Sequence, residues 1–273
     1  MLSLSVALYL VVPGLLALLA SRRVRAWLRG QGSIRQTLSN ASVGVMFVLI
    51  QLGLRATLLG AYAAVAHLVP WKLPVASPWS WALAFGLLDL VYYVQHRLEH
   101  AVPLLWAIHS VHHQSNDYNL SVSFRVGALS SLSTLCFHLA LAVAGVSASQ
   151  YAAVATVHAA LLFGLHARTH FTFGPGRLFN APVFHRVHHA ADAQYIDRNF
   201  GGVFLVFDRV CGTFAPYTTA PSYGVVGEAS PSNPVRANVA PWQALAASVR
   251  AQPTLARKLL ALVRRPADDA EPR

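Results

Sequence analysis

The sequence predicts an all-α integral membrane protein: a bundle of about five spans beneath a cytosolic helical cap that holds a histidine-rich two-metal site. Three observations carry that expectation. The 273 residues are 55% hydrophobic and only 11% charged, against about 25% charged in an ordinary soluble domain. Apolar runs long enough to cross a bilayer recur along the chain. Thirteen histidines are present, and most of them fall in four short clusters.

Each span is read from its apolar run. Leu2–Ala20 precedes Arg22, Arg23 and Arg25 and has no positive n-region, so it reads as an uncleaved first span. Ala41–Leu68 is interrupted by Arg55 and His67, and Pro78–Val94 only by Asp89. Val126–Gly145 and Gln150–Leu165 form a hairpin turning at 145–149. Residues 166–217, rich in Gly, Pro, His and aromatics, suit a cap outside the membrane. Three regions result: 1–78 with the N-terminal spans and a basic loop, 79–217 as the catalytic region, and 218–273 as a Pro/Ala-rich basic tail. Within the tail, Trp242–Arg265 is basic and amphipathic and suits a membrane surface. The last residues, Pro266–Arg273, suit disorder.

The charge balance is basic, 21 Lys+Arg against 10 Asp+Glu. In a membrane protein that excess collects in cytoplasmic loops. The arginines are scattered and carry no recognition motif, so no nucleic-acid partner is expected. Cys136 and Cys211 form no CxxC and suggest no disulfide framework. The loop holding Arg22, Arg23, Arg25, Arg29 and Arg35 reads as cytoplasmic. Threading the spans from there places every histidine cluster on the cytoplasmic side.

The clusters are His96-Arg-Leu-Glu-His100, His109-Ser-Val-His112-His113, His166-Ala-Arg-Thr-His170 and His185-Arg-Val-His188-His189. On a helix, positions i, i+3 and i+4 share a face, so HxxxH offers two imidazoles side by side and HxxHH three. Neutral imidazole suits Fe, Zn, Cu and Ni. A closed structural zinc site needs four ligands, so this many histidines point to two metals with open positions. His170 shares a face with His166 and reads either as a ligand or as an interfacial residue. His67, His138 and His158, each alone, read as structural.

Several other residues are candidates. Asp89, seven before His96 and on the same helical face, reads as an acceptor or proton relay near the metals, or as a structural hydrogen bond to another span. Asp197 and Asn199 could orient His188 or His189, or serve a turn. Asp208-Arg209 reads as a local turn and ion pair. Arg55 either pairs with Asp89 or snorkels. Asn180-Ala-Pro182 reads as an N-cap and a helix-starting proline, putting the last box on the first turns of a helix.

The string DLVYYVQH at 89–96, then HRLEH, PLLW, HSVHH and FHRVHH, resembles the fatty acid hydroxylase/sterol desaturase superfamily. Residues 110–125 and 179–214 resemble its alkylglycerol monooxygenase-like branch, including bacterial members. The likeness covers roughly 85–217. It implies a multi-pass protein, in a bacterial inner membrane, whose two irons insert oxygen into a lipid. It also implies the ligands His96, His100, His109, His112, His113, His166, His185, His188 and His189. Desaturation with the same site is the alternative within the enzymes, and a histidine-rich metal transporter or scaffold is the alternative outside them. No flavin, haem or nicotinamide motif occurs, so the electrons must come from an external donor: tetrahydrobiopterin, or a redox partner of ferredoxin or cytochrome type. Three positions depart from the branch. Ala101 stands where a glutamate follows the first box, Phe207 where a tryptophan precedes the Asp-Arg pair, and Cys211 where an aromatic follows it. Glu99 is offset about 200° from position 101 on a helix, so it is not expected to fill that glutamate's place. That departure favours a protein donor over strict dependence on a pterin.

Overall fold

The computed structural model describes residues 33–169, 178–228 and 230–264. The expected first span, most of the arginine-rich loop, His170 and Pro266–Arg273 lie outside the described residues. Within them the chain is helical, and extended backbone pairs only in two isolated antiparallel bridges, Phe179 with Phe204 and Ala190 with Tyr223.

Helix α1, Ile34–Leu68, has 35 residues and is about 52 Å long, more than the roughly 30 Å of hydrocarbon it would cross. Its apolar part is the expected second span, exposing Val45, Val48, Leu49 and Leu52. Its first turns instead bury Ser39 and Asn40 against the Pro231 carbonyl and the hydroxyls of Ser115 and Ser121. Helix α2, Pro78–Ala101, starts on a proline and runs through the first histidine box before Pro103 ends it. A residue preceding proline avoids the α region, and Val102 is extended accordingly. Helix α3, Pro103–His113, starts on that second proline.

A 3-10 turn at Leu120–Phe124 leads to the hairpin of α4, Ser130–Val143, and α5, Ala148–Leu165. Gly145 takes the left-handed φ of +89° that the turn demands. Ser147 and Gln150 then form a capping box for α5. Helix α4 starts four residues later than the apolar run suggests, because 126–129 turn against α3, where Gly127 approaches the Ile108 carbonyl. Two described helices, α1 and α5, are long and apolar enough to cross a membrane, and α4 is apolar but shorter. Helix α2 has the length but carries Asp89, Arg97 and Glu99. The expectation of about five spans thus narrows to two helices of this kind among the described residues.

Tyr62, Leu88, Leu141, Val146 and Val154 form the core where α1, α2, α4 and α5 meet. Tyr62 stacks on Tyr151 with ring centroids 4.2 Å apart, and its hydroxyl donates to the Val146 carbonyl at 3.1 Å. Two short helices, α6 (Pro182–His188) and α7 (Val206–Cys211), follow within the stretch 178–217. Helix α6 begins after Ala181 rather than after Asn180, whose side chain bonds the Gly201 carbonyl and the Ala181 amide. The tail forms α8, Pro234–Ala251, and α9, Leu255–Val263. Helix α8 packs on α3 and α1. Arg125, fully buried, joins these parts: its guanidinium donates to the Val111 carbonyl on α3, Asn40 on α1 and the Pro231 carbonyl before α8.

Candidate metal centre

The nine histidines named by the resemblance come together. His96 and His100 end α2, the second box lies on α3, His166 follows α5, and the last box occupies α6 and the residue after it. Their ring nitrogens form two groups, His96, His100, His109, His113 and His188 in one, and His112, His166, His185 and His189 in the other. Within each group the ligand atoms lie within 4.8 Å of one another. Each HxxHH box straddles both groups in opposite senses. His109 and His113 face the first while His112 faces the second, and His188 faces the first while His185 and His189 face the second.

Hydrogen bonds on the outward nitrogens settle most tautomers. Nδ1 of His96 contacts the Phe200 carbonyl at 2.8 Å, Nδ1 of His112 the Arg125 carbonyl at 2.9 Å, Nδ1 of His166 the Leu162 carbonyl at 3.1 Å and Nδ1 of His188 the Arg198 carbonyl at 2.9 Å. Nδ1 of His100 meets Asp197 at 3.2 Å, and Nδ1 of His109 meets Glu99 at 2.9 Å. Carbonyls and carboxylates only accept, so each of these Nδ1 atoms carries the proton and each Nε2 presents a lone pair inward. Nε2 of His112 and of His166 are 3.1 Å apart with no proton to share. Two nitrogens about 2.1 Å from one ion adopt that separation at about a right angle. Nε2 of His96, His188 and His189, buried among the gathered rings, has no hydrogen-bond partner among the described residues. Burial, and after it the crowding of like rings, pushes His113, His185, His188 and His189 well below the usual imidazole range, which keeps them neutral as metal ligands must be. The donor set therefore fits a pair of cations.

One loop supplies three of the outward acceptors: the Asp197 carboxylate, the Arg198 carbonyl and the Phe200 carbonyl. Asp197 and Asn199 both take a left-handed φ, 57° and 56°, a conformation these two residue types tolerate better than most. Asp197 orients His100 rather than His188 or His189. Asn199 bonds no histidine among the described residues; its side chain joins the Phe184 and Ala215 backbones and so holds the loop. Asp208 accepts from the Phe200 and Gly201 amides at 2.8 and 2.7 Å, so the local turn expected of it is what anchors the loop. Arg209 lies over the Phe214 ring at 4.0 Å.

Asp89 of α2 serves the same loop. Its carboxylate accepts from the Val203 and Phe204 amides at 2.7 and 2.9 Å and from His158 of α5 at 2.7 Å. Of the readings open in the sequence, the structural bond to another helix is the one found, and His158 rather than Arg55 is the partner. A Cβ at Gly202 would fall 2.4 Å from Asp89 Oδ1, so the loop approaches this closely only with glycine there. Sequence reasoning assigned no role to Glu99. The backbone carbonyls that hold four of the rings leave no residue-type signal to find.

A cavity of about 440 Å³ lies between α2, α4 and α5. His109 of the first group and His112 and His166 of the second reach into it, and Leu88, Val126, Leu162 and Phe163 are among its apolar walls. His138, read from sequence as merely structural, also lines it. A second space of about 30 Å³, large enough for a water-sized molecule, touches His100, His113, His188 and Asp197 beside Val225 and Val226.

The family model described as fatty acid hydroxylase matches residues 81–213, a range that holds both histidine groups. The chain belongs to the fatty acid hydroxylase family. It is 34% identical over 220 residues to the alkylglycerol monooxygenase of Danio rerio, covering 78% of this chain and 49% of that protein. It is 32% identical over 229 residues to that of Homo sapiens, covering 82% and 51%. An ornithine lipid hydroxylase of Rhizobium tropici is 26% identical over 161 residues, covering 55% and 49%. The chain spans about half the length of these curated relatives. No solved structure matches it.

Proposed function

We propose that this member of the fatty acid hydroxylase family is a membrane-bound two-iron oxygenase that hydroxylates a lipid or oxidatively cleaves an ether lipid. The observation that carries this reading is the pairing of two imidazole groups, their lone pairs turned inward, with a largely apolar cavity that touches both. Iron held by the nine histidines would supply the activation of dioxygen and the attack on an unactivated C–H bond. The chain's own residues do the rest. The cavity walls hold a chain of CH₂ groups against His109, His112 and His166, while Phe200 and Trp106 pack on His100 and keep bulk water off the rings. The relatives' names point to alkylglycerols and ornithine lipids as the kind of substrate. Electrons come from outside the chain, from a pterin or from a ferredoxin or cytochrome partner. The rings gather at helix ends beneath a cap, whereas transporters bind near the middle of the bilayer, so a metal transporter is the weaker reading.

The test is metal analysis and oxygen uptake on detergent-purified protein. About two irons per chain and lipid-dependent oxygen consumption by the reduced protein are expected. Zinc alone, or iron without lipid-stimulated uptake, would overturn the reading.

A further inference from the structure

The tail closes against the helix ends that carry the histidines. The Ser39 hydroxyl of α1 donates to the Pro231 carbonyl at 3.3 Å, and Asn238 of α8 accepts from the Ala128 amide, just before α4, at 2.7 Å. The exposed apolar run of α1, Val45, Val48, Leu49 and Leu52, starts six residues beyond Ser39, about 9 Å along the helix. The tail is thus anchored close to where α1 passes from polar contacts to an apolar surface.

Within the amphipathic stretch Trp242–Arg265, the outward apolar face belongs to α9. Trp242 of α8 shares a small space with Ile108 and Leu129, and no large apolar residue of α8 beyond it is exposed. Helix α9 is capped by the Thr254 hydroxyl, which accepts from the Arg257 amide at 3.3 Å, and packs on α8 and α3. Ala261 is its one buried residue. Leu255, Leu259, Leu260 and Val263 are 73%, 58%, 50% and 56% exposed. At about 100° per residue, Leu255, Leu259 and Val263 form one stripe, with Leu260 at its edge and Ala261 on the opposite face. Arg257 and Arg264 flank the stripe on one side and Lys258 on the other. Arg236 and Arg250 add to them, and the tail has no acidic residue from 230 to 264; Asp268, Asp269 and Glu271 come after the helix.

The stripe and its cations constrain what covers α9. An apolar partner surface would take the leucines and leave the cations without counter-charges. An anionic phospholipid surface satisfies both: the acyl boundary takes the apolar stripe, and the long basic side chains reach from its flanks to the phosphates. We propose that α9 is a membrane-surface dock whose apolar stripe sinks into the headgroup boundary of an anionic leaflet while Arg257, Lys258 and Arg264 hold lipid phosphates. This goes beyond the oxygenase reading and does not depend on it.

The experiment places full-length protein, one copy per disc, in lipid nanodiscs of phosphatidylcholine alone or of phosphatidylcholine mixed with phosphatidylglycerol. Amide hydrogen exchange over residues 255–263 is followed by mass spectrometry. Exchange is expected to be about tenfold slower or more in the anionic discs, and the difference should shrink at high salt. Residues 45–52 of α1 are the internal control and should not respond to lipid charge. Arg257→Gln combined with Lys258→Gln should abolish the difference between the discs, and Leu259→Glu should speed exchange in both. Equal exchange of the wild type in the two discs, or a difference that survives in the double variant, would overturn the dock. Slow exchange found only in discs holding two copies would give the stripe to a second copy of the chain and overturn it as well. Should a variant fail to fold, the wild-type comparison of lipid charge and salt still decides.

Discussion

The two histidine groups differ less in their ligands than in what stands behind them. In the five-histidine group, His100 leans on Asp197 and His109 on Glu99, so two rings are backed by carboxylates. In the four-histidine group, His112 and His166 lean on backbone carbonyls, and the outward nitrogen of His185, Nδ1, has no hydrogen-bond partner among the described residues. A carboxylate behind a ligating imidazole raises its basicity and fixes its orientation more firmly than a carbonyl does. The two ions of the proposed centre are therefore unequal: the first group holds its ion more tightly, and the second, which gives two of the three rings that enter the cavity between α2, α4 and α5, holds its ion more loosely. Substitutions on each side can break that comparison.

The largest effects come from the rings themselves. His188→Ala and His189→Ala remove one ligand from the first and second group respectively. Each is expected to abolish turnover and to lower iron from about two per chain towards one. Iron analysis beside an activity assay checks this, and wild-type turnover in either variant would end the two-metal reading. Next come the carboxylates. Asp197→Asn keeps a residue type that tolerates the left-handed backbone at 197, and Glu99→Gln keeps the volume. Each should weaken one of the two ions about 10- to 100-fold and leave the other in place, as seen in a metal titration against a chelator. If both ions weaken together, the inequality of the groups is wrong.

What the sequence made legible follows chemistry that side chains carry. The spacing of His96 and His100 on α2 was enough to place both on one face and in one group. The sharing of each HxxHH box between two groups was not legible, because three rings on one face still diverge by a turn's width and only the packing of α3 against α6 decides which way each one leans. Asp197 was marked as an orienting residue, but its partner is on α2 rather than in the neighbouring box, since the left-handed backbone at 197 and 199 redirects the loop. The carbonyls of Arg125, Leu162, Arg198 and Phe200 could not be read at all, as any residue type supplies one. Asp89 was noticed because a carboxylate in an apolar helix needs partners. Its helical face pointed towards the metals, yet its bonds go to the loop that carries Phe200. Of the span count, the apolar stretches of α1 and α5 were legible as composition, while the shortness of α4 depended on where Gly127 meets α3.

The loop behind the first group gives a smaller, purely structural test. Gly202→Ala would drive a methyl into Asp89 Oδ1 and to 2.9 Å from His158 and Tyr92. None of these is the loose end of a flexible chain, so the loop must lift. A loss of about 1–3 kcal/mol is expected, of the size seen for overpacked interiors, measured as a lower midpoint in thermal unfolding. The first group should weaken with it, because the same loop presents the acceptors for His96, His100 and His188. An unchanged midpoint would show that the loop is not held where Asp89 places it.

The smallest effect is expected at Ala101, where the resemblance to the alkylglycerol monooxygenase-like branch implies a glutamate directly after the first box. Position 101 is exposed, whereas Glu99 is buried and bonded to His109. The two positions are about 200° apart around α2, so a side chain at 101 points away from the rings that Glu99 supports. A carboxylate added there by Ala101→Glu gains no imidazole partner and disturbs no packing. Surface substitutions of this kind usually stay within about 0.5 kcal/mol, and iron content and turnover should stay close to the wild type. Glu99→Gln, two residues away, should weaken the first group as argued above. Measured side by side, the pair separates a carboxylate that orients a ligand from one that only neighbours the box in sequence. Should Ala101→Glu instead change which reductant supports turnover while leaving iron content alone, position 101 would belong to the contact with the electron donor. The carboxylate support of the centre would then rest on Glu99 and Asp197 alone.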